Sequence, residues 1–178
     1  MIFLETSSLI VDNLEEIRKS IDFAGFKYHD NFGDHEMTTN HANYNLFSLL
    51  SLDLNFYNLY AELQHRVRDV LGYDKPLWMQ AWLNVHTEAA VLDWHDHAWP
   101  WHGYICIDPK KTNTVFKNPK NGSEYKVENK PGQIYFGEGG IFHKVEVVES
   151  FPDFRTTIGF DVTDQVGGKL KSVSFIPF

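Results

Sequence analysis

The chain has 178 residues, enough for one compact domain with a real hydrophobic core. Apolar residues make up 43% and aromatics 15%, which offsets the entropy of ordering and excludes a disordered chain. The net charge of -8 repels phosphate backbones, so nucleic acid is not an expected ligand, and the single cysteine, Cys106, excludes an intrachain disulfide or a cysteine-built zinc cage. One cysteine also fits a reducing, cytoplasmic setting.

The N-terminal residues Met1-Ile2-Phe3-Leu4-Glu5 have no basic stretch leading into an apolar run, so a secreted protein is not expected. No segment approaches the roughly 18 apolar residues of a membrane span.

In chain order, Leu14, Ile17 and Ile21 are spaced by three and four and predict a short amphipathic helix over 12–24, with Asp12 or Asn13 as N-cap and Gly25 as its stop. Residues 28–45 are rich in Asp, Asn, His, Gly and Thr without a period and read as a long loop carrying His29, His35 and His41. A second helix is predicted over 53–71, where Phe56, Tyr60, Leu63, Val67 and Val70 form an apolar stripe that ends at Gly72. After Pro76 the pattern turns to alternation in eight short runs: 77–86, 103–107, 113–117, 124–128, 133–136, 143–148, 156–162 and 170–176. A helical front over 1–75 and an all-β remainder over 76–178 predict a single α+β domain, mainly β, whose eight strands suit a jelly roll braced by the N-terminal helices.

Four of the nine histidines, His86, His95, His97 and His102, fall between positions 86 and 102. If 94–98 is extended, alternation turns His95 and His97 to one face, where both imidazoles reach one ion and Asp96 points away. Imidazole suits iron, zinc, copper and nickel, and a site for oxygen chemistry keeps coordination positions open, so only a third protein ligand is wanted. His143, just after a strand and the glycine-rich turn Gly137-Glu138-Gly139-Gly140, is the best candidate. Twelve residues later stands Arg155, which shares a strand face with Thr157. An arginine facing a core needs an anion, and its donor fork together with a neighbouring hydroxyl suits the far carboxylate of a dicarboxylic acid. Trp94, Trp99, Trp101 and Tyr104 are candidate pocket walls, and Asn84 a candidate partner behind the binding residues.

Taken singly, a histidine on a strand is more often a hydrogen-bonded structural residue than a ligand. That reading covers His29, His35, His41, His65 and His86. Lys110-Lys111 and the Glu146/Glu149 region read as solvated faces, and the glycines of 132–140 as turn residues.

A His-x-Asp/His pair, a later His, and beyond it an Arg-x-Ser/Thr resemble the iron(II)/2-oxoglutarate-dependent dioxygenases. Within that superfamily, Trp82-Leu83-Asn84-Val85, His95-Asp96-His97 and His102-Gly103-Tyr104-Ile105 are similar to a group of small oxygenases with Trp-x-Asn, His-x-His and a Ser-Gly-Val-Tyr-Tyr-like strand. The likeness spans roughly residues 78–162.

The resemblance implies a double-stranded β-helix of cupin-like kind, with Fe(II), 2-oxoglutarate and O₂ as cofactors. It implies metal ligation by His95, His97 and His143, and co-substrate binding by Arg155 and Thr157 with Tyr104 and Asn84 nearby. The implied reaction is hydroxylation of an unknown substrate with release of succinate and CO₂. Two positions depart from the pattern: His97 stands where the commoner triad has a carboxylate, unless Asp96 takes that place, and His102 stands where the group has serine. A 2-oxoglutarate-independent three-histidine enzyme and a non-catalytic metal-binding module remain the alternatives. Dimers are common in such folds, and nothing in the sequence specifies an interface.

Overall fold

The computed structural model of the chain describes residues 1–32, 37–164 and 174–178. Antiparallel strands dominate them and form two sheets. The larger has the order β1-β6-β3-β8-β2-β9, built from Phe3–Thr6 (β1), Trp78–His86 (β2), Trp101–Asp108 (β3), Gln133–Glu138 (β6), Arg155–Thr163 (β8) and Ile176–Pro177 (β9). The smaller has the order β5-β4-β7, built from Thr112–Lys117 (β4), Glu124–Glu128 (β5) and His143–Val147 (β7).

Alternation along the central strands of the large sheet assigns its two faces. Met79, Ala81 and Leu83 of β2, Ile105 and Ile107 of β3, Ile134 and Phe136 of β6, and Ile158, Phe160 and Val162 of β8 share one apolar layer with the helices. Each large side chain fully buried there contributes about 1.5–3 kcal/mol. The opposite face carries Trp82, Asn84, His102, Tyr104, Arg155, Thr157 and Asp161, and packs toward the small sheet through a stack of Tyr104, Tyr135 and Phe116. Helices on one side and a second sheet on the other leave the polar face enclosed between sheets.

Helix α3, Leu54–Leu71, forms as its sequence signals predict: Asp53 Oδ1 accepts from the amides of Asn55 and Phe56, and Gly72, at φ 99°, ends it. Its buried stripe is Phe56, Leu59, Leu63 and Val67, continued by the half-buried Leu71. Val70, expected in that stripe, is exposed, because the contact line advances four residues from Val67 instead of three.

Three other expectations are corrected. The first helix is two: α1, Ser8–Asp12, capped by Ser7, and α2, Leu14–Phe32, which runs straight through Gly25. A Cβ at Gly25 would meet nothing within 4 Å, so the position is open surface, where an interior glycine costs only about 1 kcal/mol and burial of Ile17, Ile21 and Ala24 on the same helix offsets it. Residues 28–32 therefore belong to a helix and not to the loop, while His35 lies outside the described residues. The strand β1, absent from the predicted set, pairs its four residues with β6 at the sheet edge, too short a run for alternation to declare itself. Of the predicted strand over 170–176, residues 170–173 lie outside the described set, and Ile176–Pro177 pairs with β2. Among the described residues no helix is long and apolar enough to cross a membrane.

Candidate metal and anion site

His95 and His143 meet through the backbone before their side chains do. The amide of each donates to the carbonyl of the other, at 3.0 and 2.9 Å, in an isolated antiparallel bridge. His97 arrives differently from the alternation the sequence suggested: residues 96–98 are loop, and the turn before β7 holds them, with Gly140 N–H donating to His97 O at 3.0 Å and Gly139 N–H to Pro100 O at 2.8 Å. A Cβ at Gly139 would stand 1.8 Å from the Trp99 carbonyl oxygen, so only glycine permits that approach. The outcome is a cluster in which one ring nitrogen each of His95, His97 and His143 lies within 4.8 Å of the others.

Each of the three imidazoles has its Nδ1 engaged as a donor. His95 Nδ1 donates to Asp93 O at 2.6 Å, His143 Nδ1 to Ile141 O at 3.0 Å, and His97 Nδ1 to the carboxylate of Asp161 at 2.6 Å. A proton fixed on Nδ1 leaves the Nε2 lone pair of each ring free, the arrangement a metal-binding histidine needs. Burial holds His95 below the usual histidine range and pushes His143 down to about 3, so both are neutral at neutral pH.

Asp161 was not among the sequence candidates. The same alternation that pairs Arg155 with Thr157 on β8 also puts residue 161 on that face, but its partner lies 64 residues away in the chain. Asp96 is exposed and stands outside the cluster. His102 is buried beneath the cluster, its ring stacked 4.5 Å from that of His97 and 4.8 Å from that of His143. Burial pushes its pKa down to about 2, which keeps its ring uncharged.

Arg155 is 3% exposed and, among the described residues, has no carboxylate partner. Among the described residues its hydrogen bonds go to hydroxyls: Nε donates to Thr112 Oγ1 and Nη1 to Thr157 Oγ1, both at 3.4 Å. Thr157 Oγ1 also accepts from Asn84 Nδ2 at 3.4 Å, so its own proton is left to donate elsewhere. Asn84 is in turn held by the Trp82 indole N–H at 3.1 Å. The Tyr104 hydroxyl is committed to Asn129 Oδ1, which leaves its ring as a wall.

The imidazole cluster and Arg155 open onto one cavity of about 440 Å³ between the sheets, and Thr157, Tyr104 and Asn84 line it as well. Thr38, Thr39 and His41 from the predicted loop form part of its rim, with the His41 ring 5.2 Å from that of Trp82. Of the tryptophans expected as walls, Trp99 lines the cavity. Trp94 does not, its ring being covered by the ammonium groups of Lys117 and Lys144 at 4.7 and 4.9 Å, and Trp101 packs on the helical core instead. Trp82 takes the vacated role. His86 is buried and bonded to the Thr38 hydroxyl at 2.9 Å, and His65 is bonded to the Tyr73 hydroxyl. Lys110, expected on a solvated face, is paired with Asp108 and Asp153.

No family model and no curated protein matches the sequence. Among solved structures, the chain is similar to an oxidoreductase of the 2OG-Fe(II) oxygenase family from Burkholderia pseudomallei, with TM-score 0.52 and 12% identity over 62% of this chain and 58% of that one. It is also similar to a Pseudomonas putida prolyl-4-hydroxylase (TM-score 0.46, 11% identity, 60% of this chain and 63% of that one). A third similar structure is that of a full-length Neurospora crassa protein in complex with alpha-KG and 5-formyluracil (TM-score 0.47, 9% identity, 72% and 58%). The chain thus spans less than two thirds of the length of each. The first likeness establishes a fold shared with a 2OG-Fe(II) oxygenase.

Proposed function

We propose that the chain is a non-haem Fe(II)- and 2-oxoglutarate-dependent dioxygenase that hydroxylates a substrate and releases succinate and CO₂. The observation that carries this reading is the pairing, in one cavity of about 440 Å³, of three imidazoles with free Nε2 atoms and a buried guanidinium without a carboxylate of its own. The strand arrangement agrees with a double-stranded β-helix: β6, β3, β8 and β2 make one set of four, and β5, β4, β7 with the bridged His95 segment make the facing set.

The donor set fits the metal. Imidazole is a good ligand for ferrous iron, and three ligands leave positions open for co-substrate and O₂. Fe(II) with 2-oxoglutarate and O₂ would supply the oxidising chemistry when bound; the chain's residues would position and protect it. His95 and His143, tied by their backbone bridge, hold two Nε2 atoms at a separation set by the strands, and His97 adds the third. Arg155 offers parallel N–H donors to the co-substrate's far carboxylate, and the free Thr157 hydroxyl proton adds a third donor. Asn84 and Trp82 lock Thr157 from behind. Trp82, Trp99 and Tyr104 narrow the access of water.

Anaerobic titration of the chelator-stripped chain with Fe(II) and 2-oxoglutarate tests this. A weak visible charge-transfer band should appear, succinate should form on admitting O₂, and both should vanish in Arg155→Ala. Absence of any band and of 2-oxoglutarate binding in the unmodified chain sinks the proposal. One observation favours a second reading, a three-histidine oxygenase that needs no 2-oxoglutarate: the described cluster contains no carboxylate ligand. Under that reading Arg155→Ala keeps its metal-dependent activity.

A further inference from the structure

The three Nδ1 acceptors are not equivalent. Those of His95 and His143 are backbone carbonyls, neutral and carried by the ligand's own stretch of chain. That of His97 is a carboxylate on a different strand, with a side chain only 4% exposed, at the short distance of 2.6 Å. His97 is also the position at which the commoner ligand set presents its carboxylate. The negative charge has therefore moved one imidazole outward, and it has not left the site.

We propose that Asp161 is a positioning residue that fixes His97 as an Nε2 ligand and returns to the all-imidazole set the anionic charge it lacks. This rests on the oxygenase reading above. A buried carboxylate accepting from Nδ1–H excludes the other tautomer, in which Nε2 carries the proton and has no lone pair to give. It also strengthens the donor power of Nε2, as outer carboxylates do behind metal-bound histidines.

Charge balance gives a second reason. A divalent cation and the Arg155 guanidinium bring three positive charges into the cavity, and a dianionic co-substrate brings two negative ones. Among the buried groups the Asp161 carboxylate supplies the remaining negative charge; Asp96, which also lines the cavity, is exposed to solvent and screened by it. In a cavity closed between two sheets, an unbalanced charge is poorly screened. Removal of the carboxylate therefore weakens the cation and the tautomer together, and asparagine is the sharpest probe, because its amide presents a donor or a weaker neutral acceptor to Nδ1 at nearly the same volume.

The test uses the full chain, stripped of metal and titrated with Co(II) against a chromophoric chelator. Asp161→Asn should bind Co(II) about 10–100-fold more weakly than the unmodified chain, with a changed ligand-field spectrum. The double variant His97→Asp with Asp161→Asn, which moves the carboxylate into the ligand position, should recover at least a tenth of the lost affinity. Co(II) affinity of Asp161→Asn within twofold of the unmodified chain overturns the proposal and leaves the oxygenase reading intact. Failure of the unmodified chain to bind Co(II) overturns both. Should Asp161→Asn fail to fold, ¹⁵N-histidine NMR of the unmodified chain decides: His97 must be Nδ1-protonated, and an Nε2–H tautomer refutes the assignment.

Discussion

The Arg155 guanidinium reaches the Thr157 hydroxyl at 3.4 Å, long for a hydrogen bond, two residues along the same strand face. Together with the equally long contact to Thr112, this holds a buried cation in place without neutralising it. Burial accordingly pulls its pKa below the usual arginine value. A desolvated charge without a counter-ion opposes folding and becomes favourable only when an anion arrives. Arg155→Met keeps the aliphatic volume and discards the charge. Without co-substrate, this variant should be as stable as the unmodified chain or more so, by about 1–2 kcal/mol in urea unfolding. With Mn(II) already present in both samples, adding 2-oxoglutarate should then raise the melting temperature of the unmodified chain only. A less stable variant whose melting temperature still rises with 2-oxoglutarate would contradict the anion-site assignment.

Gly159 lies under the Trp82 indole, and a Cβ built there would stand 2.6 Å from the ring. The same indole stacks on His97, with ring centroids 5.9 Å apart, and its N–H holds Asn84. Gly159→Ala should therefore displace Trp82 and loosen both ends of the site at once. The expected loss is about 1–3 kcal/mol of stability, with altered tryptophan fluorescence. A melting temperature and emission spectrum identical to those of the unmodified chain would mean that the ring moves freely.

His86 is buried beside Arg155, and burial first, then that guanidinium, pushes its pKa from 6.5 to about 4. As pH falls below 6.5 the unfolded chain takes up this proton and the folded chain does not, so stability declines progressively down to about pH 4. His143, at about 3, and His102, at about 2, act in the same direction over wider windows. Each unit of difference corresponds to about 1.36 kcal/mol. Urea midpoints of the metal-free chain should therefore fall between pH 7 and pH 5, and less steeply in His86→Gln. A midpoint that rises on acidification refutes the assignment of neutral buried imidazoles.

The parts of the site that could be read in the sequence are those governed by local rules. Alternation along β8 puts Arg155 and Thr157 on one face, and the glycine-rich turn before β7 explains how His143 comes back to the earlier pair. His95 and His97 do come together, but a single backbone bridge and a loop do the work that the sequence assigns to an extended strand. What stayed hidden depends on which strands become neighbours. Asp161 reads as an ordinary strand aspartate until β8 is set beside β3 and the 96–100 loop folds over it. The direction of Trp94 is likewise decided by the two lysines it meets, whereas Trp101 follows the alternation of β3, which sends it with Ile105 and Ile107 to the helical layer and opposite to Tyr104. Gly25 misled for the opposite reason: a local stop signal was overridden by apolar burial along the rest of α2.

One strand, β8, supplies Arg155, Thr157, Gly159 and Asp161 from a single face, so the anion anchor, the clearance for Trp82 and the clamp on His97 share one pairing register with β2 and β3. A slip by one residue would turn all four toward the helices and drive a guanidinium and a carboxylate into aliphatic packing. The guanidinium of Arg155 and the carboxylate that holds His97 are therefore set together, by one register, while the imidazoles themselves come from β7 and the segment bridged to it.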